Sequence, residues 1–254
     1  MKPKTELDKR IAEIKRMHHD GNTESFHRTG VGGYLRDFVY GANDGIITTF
    51  AVVAGVAGAD LSARVVLILG FANLLADGFS MAMSNYLGEK SNRDFVATER
   101  GREEWEVEKL PEEERQEIRE MYRKKGFAGE TLEKIMTTIT ANKKLWVDEM
   151  MAGEHGLLPE HSISHPWKNA ATTFVAFVIA GFVPLVPYFA GLTVRETFPY
   201  AIVATATILF TVGSLRTLIT NKHWYIAGLE MLIVGILAAS VAYAIGAFLS
   251  GIVH

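Results

Sequence analysis

The chain has 254 residues, no cysteine and a formal net charge of -3 at pH 7. The absence of cysteine excludes disulfide bridges and thiolate metal sites, and a net charge this close to zero argues against nucleic acid as a partner. Hydrophobic residues make up 48% of the chain and charged residues 22%, but the two groups lie in different stretches, which indicates membrane spans combined with a polar insert.

Residues 1–37 are polar and charged, and we interpret them as a cytosolic N-terminal segment. They contain no apolar run that could serve as a cleavable signal peptide, so the later helices are expected to direct insertion. Four apolar residues are spaced as in a short surface helix ending at Gly21: Leu7, Ile11, Ile14 and Met17. Isolated histidines in such a segment are usually solvated, so we expect no metal site at His18, His19 or His27.

Residues 38–87 hold two apolar runs, 38–58 and 65–87, joined by a short turn. A helix needs about 20 apolar residues to cross the hydrocarbon core of a membrane, and both runs supply them. Glycines recur on both runs, which lets helices approach closely and suits a tight helix or dimer interface. The sequence therefore predicts a transmembrane helical hairpin.

Each helix of this hairpin carries an acidic residue. Asp44 lies in the first, and Asn73, Asp77 and Met81 follow one another at four-residue intervals in the second, so those three share one face. A carboxylate within a membrane helix costs about 2.5 to 3.5 kcal/mol on insertion scales and is a functional-site hypothesis by default. Structural roles stay open, because methionine commonly fills cores and asparagine commonly joins helices. We expect this face to line a protein interior or a water-filled path.

Residues 88–168 form a polar insert that holds 18 of the 29 acidic residues and 14 of the 26 basic ones. The helical pattern of the second span continues into the insert as far as Leu110. Pro111 and the three glutamates after it are typical of a helix start, and this helix is expected to end at Gly126. One or two further helices are predicted within 129–153.

Pairs of glutamates three residues apart recur in this insert, and each pair lies on one helix face. They are Glu103 with Glu106 and Glu114 with Glu117. Like charges on one face repel unless a cation lies between them, and carboxylate pairs on facing helices can build a metal site of the di-iron type. The alternative is a solvated face, because glutamates interleaved with arginine and lysine usually form surface ion pairs.

Residues 169–254 contain three more apolar runs, at 169–190, 200–219 and 226–250. Pro184 and Pro187 are expected to kink or end the first of these. Glu230 lies near the start of the last run, where an anchoring role is as open as a pathway role. The predicted fold is all-α, with five transmembrane helices per protomer and a cytosolic helical module inserted between spans two and three.

The distribution of positive charge predicts the orientation. Five spans with the N-terminus inside leave only Arg64 and Arg195, of 26 lysines and arginines, on the far side. This asymmetry follows the positive-inside rule. We therefore expect a multi-pass membrane protein with a cytosolic N-terminus and the C-terminus on the opposite side, in the inner membrane if the source is prokaryotic.

Three motifs resemble those of the vacuolar iron transporter family, over about Tyr34 to the C-terminus. They are Asn43-Asp44-Gly45, the stretch ADGFSM at 76–81, and WVDEMM at 146–151 leading to Glu154-His155-Gly156-Leu157. The resemblance implies a homodimer of five-span protomers whose pathway lies between the two first helices. It also implies export of Fe2+ and similar divalent metals from the cytosol in exchange for protons, with the metal as substrate and no prosthetic group.

The resemblance also implies roles for particular residues. Asp44 and Met81 match the pathway acid and methionine of the family. The positions of its carboxylate cage match seven residues here, with Asp148 as an eighth candidate: Glu103, Glu106, Glu114, Glu117, Met150, Met151 and Glu154. The chain departs from the plant pattern at Asn73, where a glutamate is expected, so Asp77 is the candidate to replace it in proton coupling.

Carboxylates combined with a thioether suit Fe2+, Mn2+, Co2+ or Zn2+ better than Ca2+ or Mg2+. Only the resemblance ranks Fe2+ first among these metals, and it implies divalent metal export by proton antiport, not enzymatic catalysis. One alternative is a membrane-anchored carboxylate oxidoreductase, although the Glu-x-x-His motifs of such centres are missing from the glutamate pairs. A metal sensor without transport is the other alternative.

Overall fold

The computed structural model describes residues 11–12, 15–16, 29–157, 165–218, 220 and 222–253. The expected N-terminal helix therefore falls largely outside the described residues, and His18, His19 and His27 fall wholly outside them. The chain divides into two compact units. Met1–Asn85 with Trp167–His254 form what we call the membrane unit, and Tyr86–Pro166 form the inserted unit.

From Thr29 onward the described residues form eight α-helices and no strand, which confirms the all-α prediction. The helices are α1 (Thr29–Gly58), α2 (Ala63–Lys109), α3 (Pro111–Lys124), α4 (Gly129–Thr140), α5 (Lys143–Gly153), α6 (Pro166–Phe182), α7 (Val194–Leu215) and α8 (Trp224–Val253). Short 3-10 segments follow α6 at Val183–Ala190 and α7 at Arg216–Leu218.

Within the described ranges five helices are long and apolar enough to cross a membrane, as expected: α1, α2, α6 with its 3-10 segment, α7 and α8. The change from α6 to the 3-10 segment occurs beside Pro184 and Pro187, whose missing backbone donors interrupt the α-helical ladder. Thr193 and Glu196 then form a capping box that starts α7. Glu230 of α8 pairs with Arg216 and Lys222, which favours a structural role for this acid.

Glycines let α1 contact its neighbours backbone to backbone. A Cβ atom at Gly41 would lie 2.5 Å from the carbonyl oxygen of Thr173 on α6, and one at Gly45 would overlap the carbonyl oxygen of Phe177. On α8, a Cβ at Gly246 would overlap the carbonyl oxygen of Gly55. Helix α1 is therefore packed closely against both α6 and α8, and this packing fixes the position of Asp44 next to Gly45.

Substitution of Gly45 by alanine should destabilise the membrane unit by about 1 to 3 kcal/mol, because the added methyl group forces α1 and α6 apart. Gly88 on α2 is a matched control, since a Cβ there meets no atom within 4 Å. Gly88→Ala should be neutral or stabilising by up to about 1 kcal/mol. Thermal unfolding of both variants in detergent measures the difference. Equal melting temperatures would contradict the packing described for α1.

The inserted unit has its own hydrophobic core, built from one face of each of its helices. Helix α3 buries Ile118, α4 buries Met136 together with Leu132 and Ile139, and α5 buries Trp146. The stretch 129–153 forms two helices, because the chain breaks at Asn142, whose side chain accepts a hydrogen bond from the Leu145 amide and caps α5. Packing against this core fixes the positions of the helices that carry the acidic residues.

Candidate metal sites

Asp44 on α1 and Asp77 on α2 both lie in the membrane unit. Both residues are half-buried, and their carboxylates are close enough to interact electrostatically. Beside Asp44, the side-chain oxygen of Asn43 is buried without a hydrogen-bond partner. Two acids on different helices of an apolar bundle repel each other unless a proton or a metal cation lies between them.

Met81 follows Asp77 by one turn on α2 and lines a pocket of about 440 Å3. Asp37, Tyr40 and Asn85 line the same pocket, with Arg36 and Ser84. The amide of Asn85 donates a 2.8 Å hydrogen bond to the hydroxyl of Thr173 and ties α2 to α6. The pocket thus places a thioether and side-chain oxygens, which are donors for a divalent cation, beside the Asp37 carboxylate, which pairs with Arg36 at 3.4 Å.

Five glutamates of the inserted unit converge from three helices. Glu103 and Glu106 lie on α2, Glu114 and Glu117 on α3, and Glu154 at the end of α5. We call this set the glutamate cluster. Glu103 is 2% exposed and Glu114 4% exposed, and each has one carboxylate oxygen that is buried without a hydrogen-bond partner. Orphaned carboxylate oxygens are costly in a folded protein, and a bound cation would satisfy them.

Burial, with mutual repulsion added to it, favours the protonated form of part of the glutamate cluster. Burial raises the pKa of Glu114 from 4.5 to about 7, and the charges of Glu103, Glu117, Glu106 and Glu154 add to this effect. Desolvation also raises the pKa of Glu117, followed by the charge of Glu154 and a hydrogen bond to it. None of the ion pairs among the described residues joins a lysine or arginine to these five acids.

Other acids of the inserted unit behave as a solvated face. Glu108 pairs with Lys109 and Lys143, Glu112 with Arg115, and further exposed pairs lie on α3 and α4. The two interpretations of the sequence therefore apply to different residues. The outer acids form ordinary surface pairs, whereas the glutamate cluster is buried in part and has no compensating lysine or arginine in the described chain.

The sequence profile of the VIT family matches residues 35–247. The chain belongs to the VIT family. A protein of Toxoplasma gondii named vacuolar iron transporter is 34% identical over 241 residues, which cover 92% of this chain and 80% of the relative. The vacuolar iron transporter of Plasmodium falciparum is 34% identical over 223 residues, covering 85% of this chain and 82% of the relative. Vacuolar iron transporter 1 of Arabidopsis thaliana is 31% identical over 224 residues, covering 88% of each.

These comparisons confirm the family recognised from the sequence. The relatives are named as transporters and not as enzymes, which agrees with the expected class of protein. Five apolar helices and membership of the VIT family together identify an integral, multi-pass membrane protein.

Three of the predicted site residues in this VIT-family chain have surroundings that differ from those of the glutamate cluster. The carboxylate of Asp148 pairs with the guanidinium of Arg100 at 2.7 Å, so its negative charge is already compensated by a side chain. Met150 and Met151 are buried among the core residues of the inserted unit. In the membrane unit, Asn73 is half-buried one turn before Asp77 on α2.

Sequence reasoning missed two residues of these sites. Asp37 is 3% exposed in the pocket lined by Met81, and its position seven residues before Asp44 is the signal that could have identified it. His155 lies in the third recognition motif, but only the structure brings its Nε2 atom to 2.7 Å from Oε1 of Glu103. That hydrogen bond raises the pKa of His155.

Proposed function

We propose that this VIT-family protein exports divalent metal, with Fe2+ as the first candidate, from the cytosol across the membrane in exchange for protons. The observation that carries the proposal is the pair of half-buried, interacting carboxylates of Asp44 and Asp77 within a bundle of apolar helices. The iron transport named for the relatives supports Fe2+ as the substrate. The metal is substrate, and Mn2+, Co2+ and Zn2+ are further candidates for the same ligands.

Capture of metal is the proposed role of the inserted unit, which we assign to the cytosolic side with the N-terminus by the positive-inside rule. The glutamate cluster supplies the anionic ligands, and orphaned oxygens on Glu103 and Glu114 support this role. Met150 and Met151 stay candidate thioether ligands that would need a small rearrangement to reach an ion. We assign Asp148 to positioning of α5 through Arg100, not to metal binding.

Passage through the membrane is the proposed role of Asp44 and Met81, near the axis of a homodimer. The pocket that contains Met81 and Asp37 supports an approach for the ion toward Asp44 along one face of α1. Proton coupling is assigned to Asp77, with Asn73 as a neutral neighbour. Protonation of Asp77 or Asp44 from the far side would weaken the hold on the metal and release it.

Flux through liposomes containing the purified protein tests this proposal. A fluorescent metal indicator inside and a pH indicator in a parallel sample would follow Fe2+, Mn2+, Co2+ and Zn2+ with and without a pH gradient. We expect Fe2+ uptake that a proton gradient of opposite direction accelerates, with protons moving against the metal. Metal binding combined with a flux no higher than that of protein-free liposomes would favour the sensor alternative. A metal flux that does not change with the pH gradient would refute proton antiport.

A further inference from the structure

We propose that His155 is a nitrogen ligand of the metal captured by the glutamate cluster, and that it biases capture toward Fe2+, Co2+ and Zn2+. The inference rests on the proposed function, because it concerns the same site. One ligand atom each from Glu103, Glu154 and His155 all lie within 4.8 Å of one another. Two ligands about 2.1 Å from one ion lie at most about 4.2 Å apart, so side-chain adjustments of less than an ångström would let these three share an ion.

The backbone after α5 holds His155 in this position. Gly156 has a φ of +66°, a conformation that favours glycine, and it turns the chain back after the helix. The Leu157 amide then donates a 2.8 Å hydrogen bond to the carbonyl oxygen of Met151, and the Leu157 side chain packs on the core of the inserted unit. The turn at Gly156, with its backbone hydrogen bond and the packed Leu157 side chain, therefore places the imidazole next to Glu103.

Glu103 provides the independent sign that a cation belongs here. Its side chain is almost wholly buried, its Oε1 contacts His155, and its Oε2 has no hydrogen-bond partner. The His155 side chain is 28% exposed. An ion arriving from solvent could thus contact the imidazole and the orphaned oxygen of Glu103 without unfolding the core.

Imidazole nitrogen changes the chemistry of an otherwise all-oxygen carboxylate set. Oxygen ligands suit Mg2+, Ca2+ and Mn2+, whereas imidazole favours Fe2+, Co2+ and Zn2+. A nitrogen ligand at the point of capture would therefore discriminate against the abundant hard cations before the metal reaches the membrane unit. His155 is thus the specificity-determining residue of the site.

Pulsed electron paramagnetic resonance with bound Mn2+ tests the inference on the full-length protein in detergent. We expect nitrogen-14 hyperfine coupling to Mn2+ in the unmodified protein and in the control His223→Gln, whose ring stacks on Tyr225 of the membrane unit. The coupling should vanish in His155→Gln. The affinity for Co2+ should fall about 10- to 100-fold in His155→Gln, and the affinity for Mn2+ less than about threefold.

The outcomes separate this inference from the proposed function. Absence of nitrogen coupling in the unmodified protein, or its persistence in His155→Gln, would overturn the role of His155 as a ligand. If Glu103→Gln still removed Mn2+ binding in that case, metal capture by the glutamate cluster would stand. Unchanged binding in both Glu103→Gln and His155→Gln would remove the capture site in the inserted unit and overturn this inference, whereas transport through Asp44 and Asp77 would stand.

Discussion

Replacement of Asp44 by asparagine should reduce metal flux by about 100-fold or more while metal binding to the inserted unit stays intact. Asparagine keeps the shape of the side chain but removes the negative charge that would hold a dehydrated cation among apolar helices. The same substitution relieves the repulsion between Asp44 and Asp77, so the protein should fold at least as well. Fe2+ flux in liposomes and equilibrium metal binding in detergent, measured on the same preparation, give the two readouts.

Asp60 supplies the matched control for this variant. It is an exposed acid in the turn between α1 and α2, with a φ of 53°, a conformation that asparagine also adopts readily. Asp60→Asn should transport normally. A third variant, Asp77→Asn, should still move metal but lose its response to a pH gradient. Normal flux in Asp44→Asn would exclude Asp44 from the pathway.

Combined replacement of Glu103 and Glu114 by glutamine should weaken Fe2+ binding to the inserted unit by more than about 100-fold. Loss of an outer-sphere partner alone costs about 10- to 100-fold in metal affinity, and this variant removes two buried inner carboxylates. Titration calorimetry under anaerobic conditions measures the affinity. The exposed acids Glu112 and Glu130 make a matched double control with the same change in charge. Equal loss of affinity in both double variants would point to bulk charge in place of a defined site.

The same double variant should stabilise the metal-free protein at pH 8. The pKa of Glu114 is raised from 4.5 to about 7, so its contribution to stability is present below pH 4.5 and is lost as the pH rises through 7. The unmodified, metal-free protein should therefore melt at a lower temperature at pH 8 than at pH 5.5. Glutamine at both positions should reduce this difference and raise the pH 8 melting temperature by about 2 to 5 °C. A larger pH dependence in the variant would contradict the protonation behaviour described for Glu114.

Local sequence signals predicted the helices well, because each signal acts within a few residues. Apolar runs identified all five spans, and the Pro111 start and the change at Pro184 follow from the missing donor of proline. Helix α1 begins at Thr29, well before the predicted span, because the helix continues beyond the apolar residues that hydropathy detects. That extension placed Asp37 in a pocket that hydropathy alone could not identify.

The spacing of residues in the sequence could not predict which side chains meet between helices. Asp148 looked equivalent to its acidic neighbours, but its pairing with Arg100 joins residues 48 positions apart in the chain. The approach of His155 to Glu103 spans 52 positions and depends on the turn at Gly156. Spacing along one helix indicates which residues share a face, whereas the choice of partner depends on how helices rotate against each other.

The glycine contacts of α1 also limit which parts of the membrane unit can rearrange. A slide of α1 by one residue would bring a side chain against the carbonyl oxygen of Phe177 on α6 or would move Gly55 away from Gly246 on α8. The close contacts of α1 with α6 and α8 therefore restrict the movement of Asp44 along the helix axis. We expect that any change in the distance between Asp44 and Asp77 during a transport cycle comes from displacement of α2. Asp77 would then move with α2, while Asp44 would keep its position on α1.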